Sequence, residues 1–205
     1  MRVGEVMTRS VLTTTPQAVV KDAAIVLAGH GVTLLPVVDE DGRLVGVLTE
    51  ADVVRGRIPP DPRRGAWHGS QAGPPPPATV GEVMSSPALT TDPYTDAAEL
   101  ATMMIDQGLR SVPVVEEDRL VGIITRRDLV RTIARADALI AADVRKRLGA
   151  YGTPDRWTVR ADHGTVTITD QFADPADHHV ALVLAQAVPG VVHAKVVCSS
   201  STQPA

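Results

Sequence analysis

The sequence twice places a threonine three residues before an aspartate, as Thr49-Glu50-Ala51-Asp52 and Thr125-Arg126-Arg127-Asp128, each time directly after an apolar run, LVGVL and LVGII. Two kinds of chemistry are open to these residue types at this spacing. One is structural: the threonine caps a helix and the acid three residues on bonds back, the reciprocal pattern of a capping box. The other is ligand binding. A strand that feeds a helix N-terminus exposes unpaired N–H groups and the positive end of the helix dipole, which suits phosphate. A threonine hydroxyl there bonds a phosphate or sugar oxygen, and an aspartate accepts from two vicinal ribose hydroxyls. Gly46 and Gly122, three residues before each threonine, either permit a close backbone approach or mark packing within a strand.

The elements that must position these turns are duplicated. Val3-Gly4-Glu5-Val6-Met7 returns as Val80-Gly81-Glu82-Val83-Met84, and Leu35-Pro36-Val37-Val38 matches Val112-Pro113-Val114-Val115 at the same spacing. The register shortens by one residue after the turn Asp39 to Gly42, because Glu116 to Asp118 has no glycine; Thr49 and Asp52 then match Thr125 and Asp128. Within each copy, Val20, Ala23, Ala24 and Leu27, and Ala97, Leu100, Ala101 and Met104, follow the spacing of an amphipathic helix. Gly29 and Gly31, or Gly108, stop it. Two short β-branched runs follow, joined by an acidic turn, and a last helix opens at the TxxD. Each copy therefore reads as strand, helix, strand, strand, helix, with a short opening helix at VGEVM.

Residues 1–57 and 79–135 are the two copies, and 58–78 is a linker rich in proline and glycine that holds Trp67, His68 and the run Pro74 to Pro77. A linker of this length is either disordered or functional, and Trp67 and His68 are its candidate contact point.

The doubled unit, with an alanine-rich helix, LPVVD or VPVVE, and then LVGVLTEAD or LVGIITRRD, resembles a pair of cystathionine-beta-synthase (CBS) domains, together a Bateman module. The resemblance implies an α/β (α+β) fold in which two repeats pack with pseudo-twofold symmetry and bind adenosine compounds such as AMP, ADP, ATP or S-adenosylmethionine in clefts. It implies that the aspartate takes the ribose, the threonine the ribose or phosphate, and apolar strand residues the adenine. Carried over, the first cleft has Thr49 and Asp52 with Leu12, Leu35 and Pro36; the second has Thr125 and Asp128 with Leu89, Val112 and Pro113. The second turn also holds Arg126 and Arg127, with Arg110 on the approach to its strand, where the first has Glu50, Ala51 and Thr33. Phosphate is expected at the second cleft, because arginine suits forked phosphate contacts. The first cleft is then weaker, empty, or takes a less anionic ligand. The resemblance also implies a homodimer through helix faces.

Residues 137–199 follow a different pattern, helix, strand, strand, helix, strand, carried by Ile140, Val144 and Leu148, by Trp157 to Ala161 and Val166 to Ile168, by Val180 to Val188, and by Val191 to Val197. With "HGTVTI" from His163 and "VPGVVHAKVV" from Val188, this small αββαβ segment resembles a BON domain, which implies a protein or phospholipid partner. Asp170 stands where many members of that family have glycine. The segment has no basic amphipathic face of the kind that holds a protein on anionic lipid. Residues 200–205 read as a disordered tail.

A net charge of -4, with 20 Lys and Arg scattered among 205 residues, gives no footprint for nucleic acid. No apolar run is long enough for a signal peptide or a membrane span, so a cytoplasmic location is expected. Cys198 is the only cysteine, which rules out an intrachain disulfide, and it reads as a small apolar residue. No nucleophile, His and acid are grouped, and no metal-ligand spacing stands out. His178 and His179, with Asp174 and Asp177, read as a polar helix start, and His30 as a partner of its helix C-terminus or a cleft residue. The expectation is a non-catalytic regulatory sensor without cofactor or metal, its adenosine ligand signalling to the C-terminal domain. The alternative is a constitutive scaffold or lipid-associated protein in which the TxxD turns are only caps.

Overall fold

A computed structural model describes residues 1–58, 61, 76–153 and 155–199. Trp67, His68, Pro74, Pro75 and the tail 200–205 lie outside the described residues. The chain forms two compact units that cut across the repeats. One, here the repeat-1 unit, is Thr8–Asp92 with Gly108–Ile123; the other, the C-terminal unit, is Met1–Met7, Pro93–Gln107 and the chain from Ile124 onward.

In the repeat-1 unit, α1 (Val20–His30) buries Val20, Ala23 and Leu27 along one face, as the spacing predicts. It ends at Gly31, whose φ of 61° is the left-handed conformation that favours glycine. Strands β1 (Leu34–Val38) and β2 (Leu44–Thr49) pair antiparallel, with Leu35 opposite Leu48. The Asp39 carboxylate fixes their turn by accepting the N–H groups of Asp41 and Arg43. Leu35, Val37 and Leu48 close over Ala23 and Leu27 to make the core, and β2 runs directly into α2 (Glu50–Val54). The second hairpin, β3 (Ser111–Glu116) with β4 (Arg119–Thr125), turns through Glu117 and Asp118, both at positive φ because this copy has no glycine there.

The strand expected before α1 is reduced to one parallel bridge between Thr14 and Val37, and its counterpart to one between Thr91 and Val114. Pro16 and Pro93 follow closely and cannot donate to a ladder, which stops the pairing. The VGEVM segments each form one turn of 3-10 helix, Val3–Glu5 and Val80–Glu82, and each serves the opposite repeat. Val80 is fully buried in the core of repeat 1, with its N–H donating to Ala18 O at 2.9 Å and that of Gly81 to Pro16 O at 2.8 Å. Reciprocally, within the C-terminal unit, Val3 N–H donates to Thr95 O at 3.0 Å and Gly4 N–H to Pro93 O at 2.8 Å.

The C-terminal unit adds α3 (Ala97–Asp106), α4 (Arg126–Ile133), α5 (Asp137–Tyr151), β5 (Trp157–Asp162), β6 (Thr165–Asp170), α6 (Pro175–Gln186) and β7 (His193–Cys198). The last three strands form one sheet in the order β5-β6-β7, antiparallel and then parallel. Trp157, Val159, Val166 and Ile168 alternate onto one face and pack with Ile140, Val144 and Leu148 of α5 and Ala181 and Ala185 of α6. Helix α6 begins at Pro175, with the polar start expected at Asp174 to His179: the Asp174 carboxylate accepts the N–H groups of Ala176 and Asp177, and proline fits the first helical position. Cys198 is exposed on β7 instead of packing as an apolar residue. No helix among the described residues is long and apolar enough to cross a membrane.

Candidate functional site

The first TxxD turn lies wholly in the repeat-1 unit. Thr49 caps α2: its hydroxyl donates to Asp52 Oδ2 at 2.7 Å, its N–H donates to the same oxygen at 2.9 Å, and it accepts the Asp52 N–H. The reciprocal cap read from the spacing is therefore formed. It uses only one carboxylate oxygen. Asp52 is 8% exposed, and its Oδ1 takes no hydrogen bond or ion pair among the described residues. Leu35 and Pro36 are buried in β1, while Leu12 keeps 39% of its surface open.

Arg110 sits beside this first turn. Its guanidinium lies 3.9 Å from the Glu50 carboxylate, and the next residue, Ser111, has its hydroxyl 3.3 Å from that of Thr33. The Thr33 carbonyl in turn accepts the Glu50 N–H at 3.3 Å. Repeat 2 thus lends a cation to the turn of repeat 1, an arrangement that spacing within one repeat cannot reveal.

The second turn lies in the C-terminal unit and repeats the cap: Thr125 Oγ1 donates to Asp128 Oδ2 at 2.6 Å and Thr125 N–H at 2.9 Å. Its surroundings differ. Arg126 reaches back to donate to Met104 O, 2.7 Å away on the last turn of α3, where the dipole favours a cation. Arg127 is exposed, and Arg131, which the sequence reading did not single out, lies 3.6 Å from Asp128 Oδ1. Leu89, Val112 and Pro113 belong to the repeat-1 unit, Val112 and Pro113 buried and Leu89 43% exposed.

Gly46 answers to packing. A Cβ there would stand 2.8 Å from Met84 Sδ and 2.9 Å from Ser85 O, so the glycine admits the opening segment of repeat 2 against β2. His30 places Nδ1 3.1 Å from Val26 O at the end of α1. His178 turns to Asp170 and to the Phe172 carbonyl, and among the described residues no group of three or more His, Cys, Asp or Glu could hold a metal ion. A cavity of about 290 Å³ in the repeat-1 unit, between Leu44, Ser86, Ala88 and Val115, includes neither turn.

A strand-strand-helix unit that occurs twice, each copy with a capped TxxD, defines a duplicated α/β module. The CBS domain family model matches residues 3–58 and 80–135, and the chain belongs to that family, as a tandem pair or Bateman module. The uncharacterised protein MJ1404 of Methanocaldococcus jannaschii is 32% identical over 135 residues, covering 65% of this chain and 32% of that protein, so the chain spans about a third of its length. The CBS domain pair of protein MJ0100, in complex with 5′-methylthioadenosine and S-adenosyl-L-methionine, has a TM-score of 0.51 at 25% identity, covering 65% of this chain and 96% of that one. CBSX2 of Arabidopsis thaliana, in complex with AMP, has a TM-score of 0.51 at 29% identity, covering 63% and 93%.

Proposed function

We propose that this chain is a non-catalytic cytoplasmic sensor that binds an adenosine-containing nucleotide at its TxxD turns and passes the binding to its C-terminal domain. One observation carries the reading: Asp52 is 8% exposed, its Oδ2 makes the cap, and among the described residues its Oδ1 has no hydrogen-bond donor. A cap needs a single oxygen, which leaves the other, still reached by solvent, open to accept from a ligand hydroxyl. Vicinal ribose hydroxyls fit. The adenosine ligands of MJ0100 and CBSX2 support the same chemistry.

The second turn takes the more anionic, phosphorylated ligand, with Arg126 and Arg127 as its cations. It is also the one joined to the C-terminal domain. Thr132, on α4, donates its hydroxyl to the Asp128 carbonyl at 2.9 Å, and its own carbonyl lies 3.0 Å from where a Cβ on Gly190 would stand. Arg135, just past α4, donates to Pro189 O and to Asp143, both at 2.6 Å. One end of α4 thus holds the turn and the other is docked on the loop before β7. The helix-strand-strand-helix-strand order of residues 137–198 supports a BON-like domain whose partner is a protein or phospholipid. Open apolar side chains on α1 and α2, Ile25 and Val54, and on α3 and α4, Ile105, Val130 and Ile133, support a homodimer through helix faces. The ligand acts by binding one arrangement more tightly than another.

Thermal unfolding with AMP, ADP, ATP and S-adenosylmethionine, on the wild type and on Asp52→Ala and Asp128→Ala, tests this. A ligand at about 100 times its dissociation constant stabilises the fold by roughly 2.7 kcal/mol. The expected result is a raised midpoint that an aspartate variant abolishes. No shift with any compound overturns the sensor, leaving the caps as caps and the chain as a scaffold.

A further inference from the structure

Four charges on and beside α5 hold the C-terminal domain to the rest of its unit. Asp143 and Arg147 stand four residues apart on that helix and so share one face, a turn apart. Among the described residues they do not pair with each other. Asp143 instead takes Arg135, from the three-residue connection 134–136 between α4 and α5, at 2.6 Å, and Arg147 reaches Glu5, in the opening turn of repeat 1, at 3.2 Å. Glu5 can lean that way because its cap is weak. In the other opening turn Glu82 Oε2 accepts from Ala78 N–H, Thr79 N–H and the Thr79 hydroxyl, at 3.1, 2.8 and 2.7 Å. Repeat 1 has Arg2 where repeat 2 has Thr79, so Glu5 Oε2 holds only the Arg2 N–H, at 2.8 Å, while Oε1 meets Arg147.

All four side chains stay in contact with water, between 26% and 49% exposed. Ion pairs this open contribute little each, so a change of partner costs little. The spacing on α5 offers that change. An acid four residues before a base is the favourable order for an ion pair along a helix. When the domain pivots about residues 134–136, Asp143 and Arg147 lose their outside partners and gain each other.

We infer that Glu5, Arg135, Asp143 and Arg147 form a charge-exchange switch with two arrangements. In the docked one, seen here, Arg135 pairs with Asp143 and Arg147 with Glu5. In the released one Asp143 pairs with Arg147 along α5, and the domain swings off the opening turn. Two pairs are traded for one, so the docked arrangement is favoured and the released one stays within reach. The device does not depend on nucleotide binding; whatever binds one arrangement more tightly biases it.

The test is the distance between two spin labels in the full chain, one on the exposed Cys198 and one at Thr102→Cys, an exposed position on α3. It is measured in this labelled parent and after adding Glu5→Gln or Arg147→Gln. Both side chains are partly exposed, and a thermal melt checks that each variant folds. Each substitution removes the same docked pair, so both should raise the released population above the parent's. Only Glu5→Gln keeps the Asp143–Arg147 pair of the released arrangement, so it should show about twice the released population of Arg147→Gln, the worth of one such pair on a helix. Equal populations in the two variants would make Glu5–Arg147 a static tie and overturn the switch. A distance distribution that neither substitution changes overturns it as well.

Discussion

Arg156 and Asp170 meet edge to edge: Nε donates to Oδ1 at 2.9 Å and Nη2 to Oδ2 at 2.7 Å, and Asp170 has no exposed surface. The guanidinium also donates to Asp177 at 2.6 Å and stacks over the Trp157 ring, 4.3 Å from its centroid. Asp170 also accepts the Phe172 N–H, so it closes both the end of β6 and the turn beyond it. Removing one member of a buried pair leaves the other charge uncompensated. Asp170→Ala should therefore cost about 3–5 kcal/mol of C-terminal domain stability in urea unfolding. A loss under about 1 kcal/mol would show that the pair is idle.

Hydrogen bonds from Arg156 hold the Asp170 carboxyl below the usual aspartate range, and those from Tyr151 and then Arg156 do the same for Asp177. With folded values depressed below the unfolded value of about 3.9, both contribute stability that is fully present above that value. It is lost as pH falls through the folded values. The melting temperature should hold from pH 7 to about 5 and drop below about pH 4, and the drop should be shallower in Asp170→Ala. A melting profile that is equally steep in the variant would assign acid sensitivity to other groups.

Gly46 leaves no room for a methyl group between β2 and the Met84–Ser85 segment, since the Ser85 carbonyl is backbone and cannot swing aside. Gly46→Ala is expected to destabilise the repeat-1 unit by about 1–3 kcal/mol. Gly29, with nothing within 4 Å of the same added atom and an ordinary φ, is the control: Gly29→Ala in α1 should be neutral or stabilising. Equal effects of the two substitutions on the melting temperature would refute the packing account.

Arg135 tests the joint between α4 and the loop before β7. Arg135→Ala should speed amide exchange at Val191 and Val192, which follow the Pro189 carbonyl that it holds, by about tenfold while the core strands stay protected. In the same variant a nucleotide at the second turn should no longer change exchange in β7. Unchanged exchange at the loop would mean that the domain is held elsewhere, for instance by the Arg147–Glu5 pair at 3.2 Å.

What could be read from the sequence follows from how local each feature is. The helix at Val20 to Leu27, the paired runs at Leu35 and Leu48, and the TxxD caps are set by residues within a few positions of one another, and a period of 3.6 or 2 reveals them. The polar start of α6 at Asp174 is equally local, and the acids and histidines ahead of Val180 reveal it. Arg110 beside Glu50, Gly46 under Met84 and Arg156 on Asp170 depend on distant segments meeting, and no spacing along the chain encodes those distances.

The exchange of opening segments also bears on ancestry. Each VGEVM turn completes its neighbour and not the repeat it begins, so a protein made of one such repeat would leave a gap the shape of Val3 or Val80 and carry the plug for someone else's. Two separate copies could have filled each other's gaps before any duplication fused them. Fusion would then have replaced an encounter between molecules with a tether, and freed the two halves to diverge, as Glu50 in one and Arg126 at the matching place in the other show.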